Sequence, residues 1–138
     1  MGKEKTILFV CVENAGRSQM AQGFFNKYAP KGYRAISAGT RPAAQVNPLV
    51  VQAMREAGVD ISGQKSKTIT EDMIRDSEKA VNMGCMDKSE CPLLFLNNPI
   101  DWGMEDPKGK PIEKVREIRD EIERRVKELA ANLKESGQ

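Results

Sequence analysis

Cys11 is followed, six positions on, by Arg17 and then Ser18, with Val12, Glu13, Asn14, Ala15 and Gly16 between. An apolar run precedes this segment and a helical pattern follows it. A loop in that position can curl so that successive backbone N–H groups point inward. Such a nest at a helix N-terminus binds a tetrahedral oxyanion. Gly16 permits backbone angles that other residues resist. Arg17 adds a planar fork of donors suited to bidentate oxyanion recognition. The same features favour a cysteine thiolate, and Ser18 can donate a hydrogen bond to it. Taken alone, Cys11 reads equally well as a small buried cysteine at a strand end. Cysteine, glycine, arginine and serine in this order at a strand-to-helix turn favour the nucleophile.

The chain has no histidine. Cys–His dyads, histidine general acids and histidine-based metal sites are therefore excluded, and activation of Cys11 must come from the loop itself. Two further cysteines, Cys85 and Cys91, flank a polar stretch of five residues. An odd total of three, in the reducing compartment expected for this chain, argues against a structural disulfide framework. From spacing alone the pair could be one core and one surface cysteine. Asp106 precedes Pro107 in a glycine- and proline-rich stretch, and alone reads as a turn aspartate. It is also the candidate proton donor to a leaving oxygen, because hydroxide and alkoxide leave poorly. Glu105 is the adjacent alternative.

The elements that must position these groups are legible in outline. Ile7, Leu8, Phe9 and Val10 form a continuous apolar run, as in a strand buried on both faces of a parallel sheet. Met20, Phe24 and Tyr28 recur at helical spacing until Pro30 and Gly32. Residues 33–37 read as a second strand. Asn47-Pro48 opens a helix with Val50, Val51, Met54 and Ala57 on its apolar side and Gly58 at its cap. Thr70, Glu71 and Asp72 open another. Residues 80–83 are a third strand and residues 93–96 a candidate fourth, with a loop over 97–111. From Ile112 onward Val115, Ile118, Ile122, Val126, Leu129 and Leu133 line one face of a long amphipathic helix. Alternating strands and helices predict an α/β fold, a three-layer α/β/α sandwich with a four-stranded parallel sheet, in a single domain over residues 1–138.

A formal net charge of +2 gives no case for nucleic acid or an anionic membrane surface. No apolar run approaches the roughly 20 residues of a membrane span, and the polar N-terminus leads into too short an apolar run for a secretory signal. A cytoplasmic monomer is expected.

The string V-C-V-E-N-A-G-R-S-Q-M-A resembles the low-molecular-weight protein tyrosine phosphatases and, more closely, the arsenate reductases related to them. The resemblance continues through Ser37-Ala38-Gly39, Asn47-Pro48, Met83-Gly84-Cys85, Cys91-Pro92, Asp101-Trp102-Gly103, Asp106-Pro107 and Arg119-Asp120-Glu121-Ile122. It implies the low-molecular-weight phosphatase fold, an oxyanion loop over residues 11–17, Cys11 as nucleophile, Asp106 as general acid and Arg17 and Ser18 as supporting groups. It further implies that arsenate is reduced to arsenite, for arsenic detoxification, through a Cys11–Cys85–Cys91 disulfide relay. Reducing equivalents then come from thioredoxin or a similar dithiol protein, with no bound cofactor. A disulfide requires Cα atoms about 4.4–6.8 Å apart, so Cys85 must reach both partners in turn.

A tyrosine phosphatase working through a phosphocysteine at Cys11 is the alternative. Against it, Lys108 follows Asp106-Pro107 where those enzymes often carry tyrosine, and aromatics make up only 5% of the chain. Residual phosphatase activity is still expected, because phosphate and arsenate share shape and charge. A non-catalytic oxyanion or redox sensor is a third reading, disfavoured by Asp106. Glu13, an acid beside an anion site, is expected to point to solvent.

Some members of the resembled family bind potassium behind the loop. Here the corresponding positions hold Gln22, Lys65 and Lys67, and lysine repels a cation. Added potassium is therefore expected to leave the rate of the purified protein unchanged, and a potassium-dependent rise in activity would contradict this.

Overall fold

The computed structural model describes residues 4–84, 89, 91–96 and 98–136; Cys85 lies outside them. In chain order the elements are β1 (Lys5–Val10), α1 (Arg17–Tyr28), β2 (Tyr33–Ala38), α2 (Pro48–Glu56), α3 (Glu71–Asp76), β3 (Lys79–Asn82), α4 (Pro92–Leu96), β4 (Ile100–Asp101) and α5 (Ile112–Ser136). The four strands form one sheet in the order β2-β1-β3-β4. Every pairing is parallel, with Val10 opposite Ala38 on one side and Asn82 on the other. The sheet is covered on both faces, which gives the expected three-layer sandwich.

The apolar run of β1 explains the layering. Side chains alternate between the two faces of a strand, and both faces of β1 are covered. Ile7 and Phe9 enter the larger core with Met20, Phe24 and Phe25 of α1, Val50 and Met54 of α2, and Val115, Ile118, Ile122 and Val126 of α5. Leu8 and Val10 enter the smaller core with Ile74 of α3 and Leu94 of α4. All four β1 side chains are fully buried. Helix α1 packs on β1, β2 and α5, and its first residues, Arg17, Ser18, Gln19, Met20 and Ala21, are all buried in succession. Gly23 allows the close packing there: a Cβ on it would sit 2.8 Å from Ile61 Cγ2 and 3.1 Å from Met54 Cε.

Several helix boundaries follow from local chemistry. Asn47 Oδ1 accepts a hydrogen bond from Leu49 N (2.9 Å), and Pro48 occupies the first turn of α2. The helix closes as Val59 N bonds back to Met54 O and Gly58 takes a positive φ of 83°. Thr70 Oγ1 caps α3 by accepting from Met73 N. On the outer side, Arg116 donates both Nε and a terminal nitrogen to Glu56, tying α5 to α2. That hydrogen-bonded guanidinium, joined by Arg119, holds the Glu56 carboxyl at about 2.

The fourth strand is not where the apolar run placed it. Residues 93–96 belong to the short helix α4, opened by Pro92, whose ring suits a first helical turn. Only Leu94 of this helix is fully buried, and Leu96 is 77% exposed. The edge strand is instead Ile100–Asp101, inside the stretch expected to be loop. Two residues pairing with Val81 and Asn82 are too few to show any hydrophobic period. The chain stays beside the sheet after the strand ends, as Trp102 N bonds Asn82 O and Met104 N bonds Met83 O. This carries residues 102–106 toward the carboxyl end of β1.

Gly39 marks where β2 must pass that end most closely. A Cβ on it would lie 2.6 Å from Cys11 O and nearer still to Val12 O, both backbone atoms that cannot yield. Gly39→Ala is expected to cost at least about 2 kcal/mol of stability, measured by urea denaturation, and to weaken phosphate binding with it. A variant of unchanged midpoint would show that the two backbones can separate freely.

Candidate functional site

The loop from Cys11 to Gly16 sits at the carboxyl end of β1, where the strand order turns back on either side, the usual ligand crevice of an open α/β sheet. Its shape follows from where its carbonyls go. Val12 O accepts from Arg41 N, Glu13 O from Ala43 N, and Ala15 O from Asn47 N, each at 2.9 Å. Asn14 O accepts from Ser66 Oγ (2.9 Å) and Gln19 Nε2 (2.9 Å). In a trans peptide the C=O and the following N–H point opposite ways. Four carbonyls held outward therefore turn the next N–H groups toward the cavity, the nest an oxyanion needs.

Asn14 is the keystone of the loop. It is fully buried and takes a left-handed φ of 50°, which asparagine tolerates better than most residues. Its Oδ1 accepts from the backbone N–H of Lys67 at 2.9 Å. A backbone donor leaves only one amide orientation, so Nδ2 must face Ser18, donating to its Oγ at 2.7 Å. Ser18 Oγ lies 2.9 Å from Cys11 Sγ. With Ser18 already accepting from Asn14, its own proton is available to the sulfur. Cys11 itself is buried, with 3% of its surface exposed.

Behind Asn14 stands a glutamine not foreseen as part of the site. Gln19 is fully buried; its Nε2 reaches Asn14 Oδ1 and Lys65 O at 3.0 Å, and its Oε1 accepts from Gln64 Nε2 at 2.6 Å. A polar side chain directly after Ser18, one residue before the buried Met20, was the available signal. Residues 67–69 are also paired with the end of β2, as Gly39 N bonds Lys67 O and Ile69 N bonds Gly39 O. Of the positions considered for a cation, Gln22 Oε1 accepts from Ser37 Oγ (2.5 Å), and the ammonium of Lys67 donates to Lys65 O (3.0 Å). Burial pushes the Lys67 pKa down.

Gly16 has a different reason from the one its type suggested. Its φ is −137°, not left-handed. What excludes a side chain is Pro107, whose Cγ would lie 2.9 Å from a Cβ at Gly16. The acid-bearing loop thus leans directly on the oxyanion loop. Arg17 fastens it there by donating to Met104 O (2.8 Å) and by an ion pair with Asp106 Oδ2 at 3.6 Å. The Arg17 side chain is nearly buried while Asp106 is 57% exposed, open to an incoming molecule. Glu105 turns elsewhere, to Lys110 and Lys114, which leaves Asp106 as the acid over the cavity. Glu13 does not simply face water; its carboxylate accepts from Lys108 Nζ at 2.9 Å. Cys11, Glu13, Arg17, Asp106, Pro107 and Lys108 line a cavity of about 540 Å³ together with Ala43, Gln45, Asn47 and Pro48.

The structure thus brings together Cys11, the loop residues, Arg17, Ser18 and Asp106. Cys91 lies apart from them: half-buried, it opens α4 by accepting from Leu94 N and packs against the smaller core. Among the described residues, no group of histidine, cysteine, aspartate or glutamate side chains is arranged to hold a metal ion, and no helix is long and apolar enough to cross a membrane.

A cysteine and arginine bracketing a backbone nest, with an aspartate leaning over it on an α/β sheet, define an oxyanion-handling cysteine site. The sequence pattern of the low molecular weight phosphotyrosine protein phosphatase family matches residues 6–138, and the chain belongs to that family. It is 39% identical over 131 residues to an arsenate reductase of Brevibacillus brevis, covering 94% of this chain and 97% of that one. Among solved structures, an arsenate reductase in the phosphate-binding state superposes with a TM-score of 0.83 at 33% identity, over 93% of this chain and 98% of the other. The thioredoxin-dependent arsenate reductase of Corynebacterium glutamicum gives 0.81 at 37% identity; 98% of this chain aligns, spanning 64% of that longer chain.

The direction of the Asn14–Ser18–Cys11 chain can be tested by reversing it. Asn14→Asp keeps an acceptor for Lys67 N but offers Ser18 a second acceptor, so the hydroxyl proton turns away from sulfur. Hydrogen bonds to charged groups contribute about 1.5–3 kcal/mol, so hydrolysis of para-nitrophenyl phosphate should slow by roughly ten-fold or more. Ser18→Ala should slow it comparably. Full activity in Asn14→Asp would mean the chain does not run toward Cys11.

Proposed function

We propose that this single-domain protein reduces arsenate to arsenite, with Cys11 as nucleophile and Cys85 and Cys91 as successive thiols. The observation that carries the reading is the Cys11 sulfur lining the cavity at the nest, 2.9 Å from the Ser18 hydroxyl oxygen. Arsenate is a tetrahedral anion, the class of ligand that a backbone nest and a guanidinium fork recognise. The arsenate reductases among its relatives support the choice of substrate.

The Cys11 thiolate attacks arsenic and forms an S–As bond. Asp106 supplies the proton with which one oxygen departs as water. The Cys85 thiolate then attacks the Cys11 sulfur. The S–As electron pair passes to arsenic, which falls from the pentavalent to the trivalent state and leaves as arsenite. Two sulfurs have been oxidised to the Cys11–Cys85 disulfide. Cys91 attacks Cys85 next, freeing Cys11 as thiolate and leaving Cys85–Cys91 for a thioredoxin-like dithiol protein to reduce, as cytoplasmic thiol pools allow. Each sulfur transfer is ordinary thiolate exchange. Arg17 holds the anion and shares its charge throughout.

The same nest, Cys11, Arg17 and Asp106 are sufficient for phosphate-ester hydrolysis, with water completing the second step. That activity is the secondary one, because it gives Cys85 and Cys91 no role.

Single-residue variants separate the two. Cys11→Ser should abolish arsenate turnover and phosphate-ester hydrolysis alike. Cys85→Ser and Cys91→Ser should abolish arsenate turnover, followed as arsenite formed with thioredoxin as reductant, while sparing ester hydrolysis. Full arsenate turnover in both of these variants would refute the relay.

A further inference from the structure

Besides the contacts of Arg17, the acid loop meets the oxyanion loop at two further points. Pro107 packs on Gly16, and Lys108 Nζ reaches across the mouth to Glu13 Oε2 at 2.9 Å. Resting on the reading of Cys11, Arg17 and Asp106 as the reacting centre, we infer that the Glu13–Lys108 pair is a latch that makes the site selective for free oxyanions over phosphate monoesters. Cys11, Arg17, Asp106 and both members of the pair line the same cavity. A free tetrahedral anion fits beneath the latch. A monoester must pass its alcohol group out between the two loops, or bend it toward the opposite rim at Ala43 and Gln45.

The pair also places Asp106. Lys108 N donates to Asp106 Oδ1 (3.0 Å), so the residue that carries the ammonium also fixes the carboxyl beside it. Both side chains are solvent-accessible, Lys108 67% and Glu13 41% exposed. The latch is therefore weak enough to open and is screened by salt. The hydrogen bond to Glu13, followed by its charge, raises the Lys108 pKa, so the ammonium persists throughout the neutral range.

A plain field effect makes the opposite forecast, which allows a sharp test. If the two side chains acted only through charge, Glu13→Gln would tighten every anion and Lys108→Gln would weaken every anion. The ratio of monoester to free anion would then stay constant. A latch moves that ratio the same way in both variants. The ratio is read as kcat/KM for para-nitrophenyl phosphate against the inhibition constant of inorganic phosphate in the same assay. Protection of Cys11 from iodoacetamide by phosphate or by phenyl phosphate gives a second reading that needs no turnover. Each single variant should shift the ratio about two- to five-fold toward the ester, the range open to an exposed ion pair. The swapped double variant Glu13→Lys/Lys108→Glu should restore it. Sodium chloride at 1 M should move the wild type, and not the single variants, in the same direction. Opposite responses of the two single variants at constant ratio would overturn the latch. Neither assay requires arsenate turnover, so the failure of arsenate reduction in the wild type would be recorded separately.

Discussion

A loop that is to hold a tetrahedral anion must turn several peptide N–H groups to one side, and each turn leaves a carbonyl on the other side in need of a partner. The rest of this structure is arranged around that constraint. The carbonyls of Val12, Glu13 and Ala15 are met by backbone N–H groups of residues 41–47, and that of Asn14 by Ser66 and Gln19. Leaving such groups unpaired while buried would cost about 1–3 kcal/mol each. The outer shell is therefore a condition for the nest, not an ornament to it.

The fold supplies that shell from two directions. β1 delivers Cys11 from a strand whose two faces are both sealed, by α1, α2 and α5 on one side and α3 and α4 on the other. β2 then exits alongside and, through Gly39, sends its chain close enough to touch Cys11 and Val12. β3 and the short β4 lead residues 102–106 back over the same end of the sheet. Parallel topology thus brings Cys11, its outer shell and Asp106 to one edge, although Cys11 and Asp106 are 95 residues apart in sequence.

What was legible in the chain divides along the same line. β1 announced itself because four consecutive apolar residues can be buried on both sides of a parallel strand. Asn47-Pro48, Gly58 and Thr70 each act through a local hydrogen bond or a local φ, so their roles could be read in place. The apolar run at residues 93–96 misled because short runs do not separate strand from helix, and Pro92 before it was the better guide. The edge strand at Ile100 and Asp101 has no pattern of its own and exists through its partners Val81 and Asn82. Gly16 was recognised as necessary, but its reason lies 91 residues away, in the ring of Pro107. Gln19 escaped notice for the same reason, since its partners Gln64 and Lys65 come from a distant segment. Local causes are written in local sequence, whereas contacts between segments appear only once the fold has brought them together.

Charge is settled around the cavity by the same kind of cross-chain pairing. Three carboxylates, Glu13, Glu105 and Asp106, belong to the two loops that must receive an anion. Left alone they would repel it. Instead Glu13 is answered by Lys108, Glu105 by Lys110 and Lys114, and Asp106 by Arg17. The pairing of Asp106 differs from the others because its partner, Arg17, is nearly buried and itself lines the cavity. At 3.6 Å it is a looser contact than the 2.9 Å between Lys108 and Glu13. Asp106 is thus tied down from within the cavity, whereas Glu13 and Glu105 are answered by more exposed lysines.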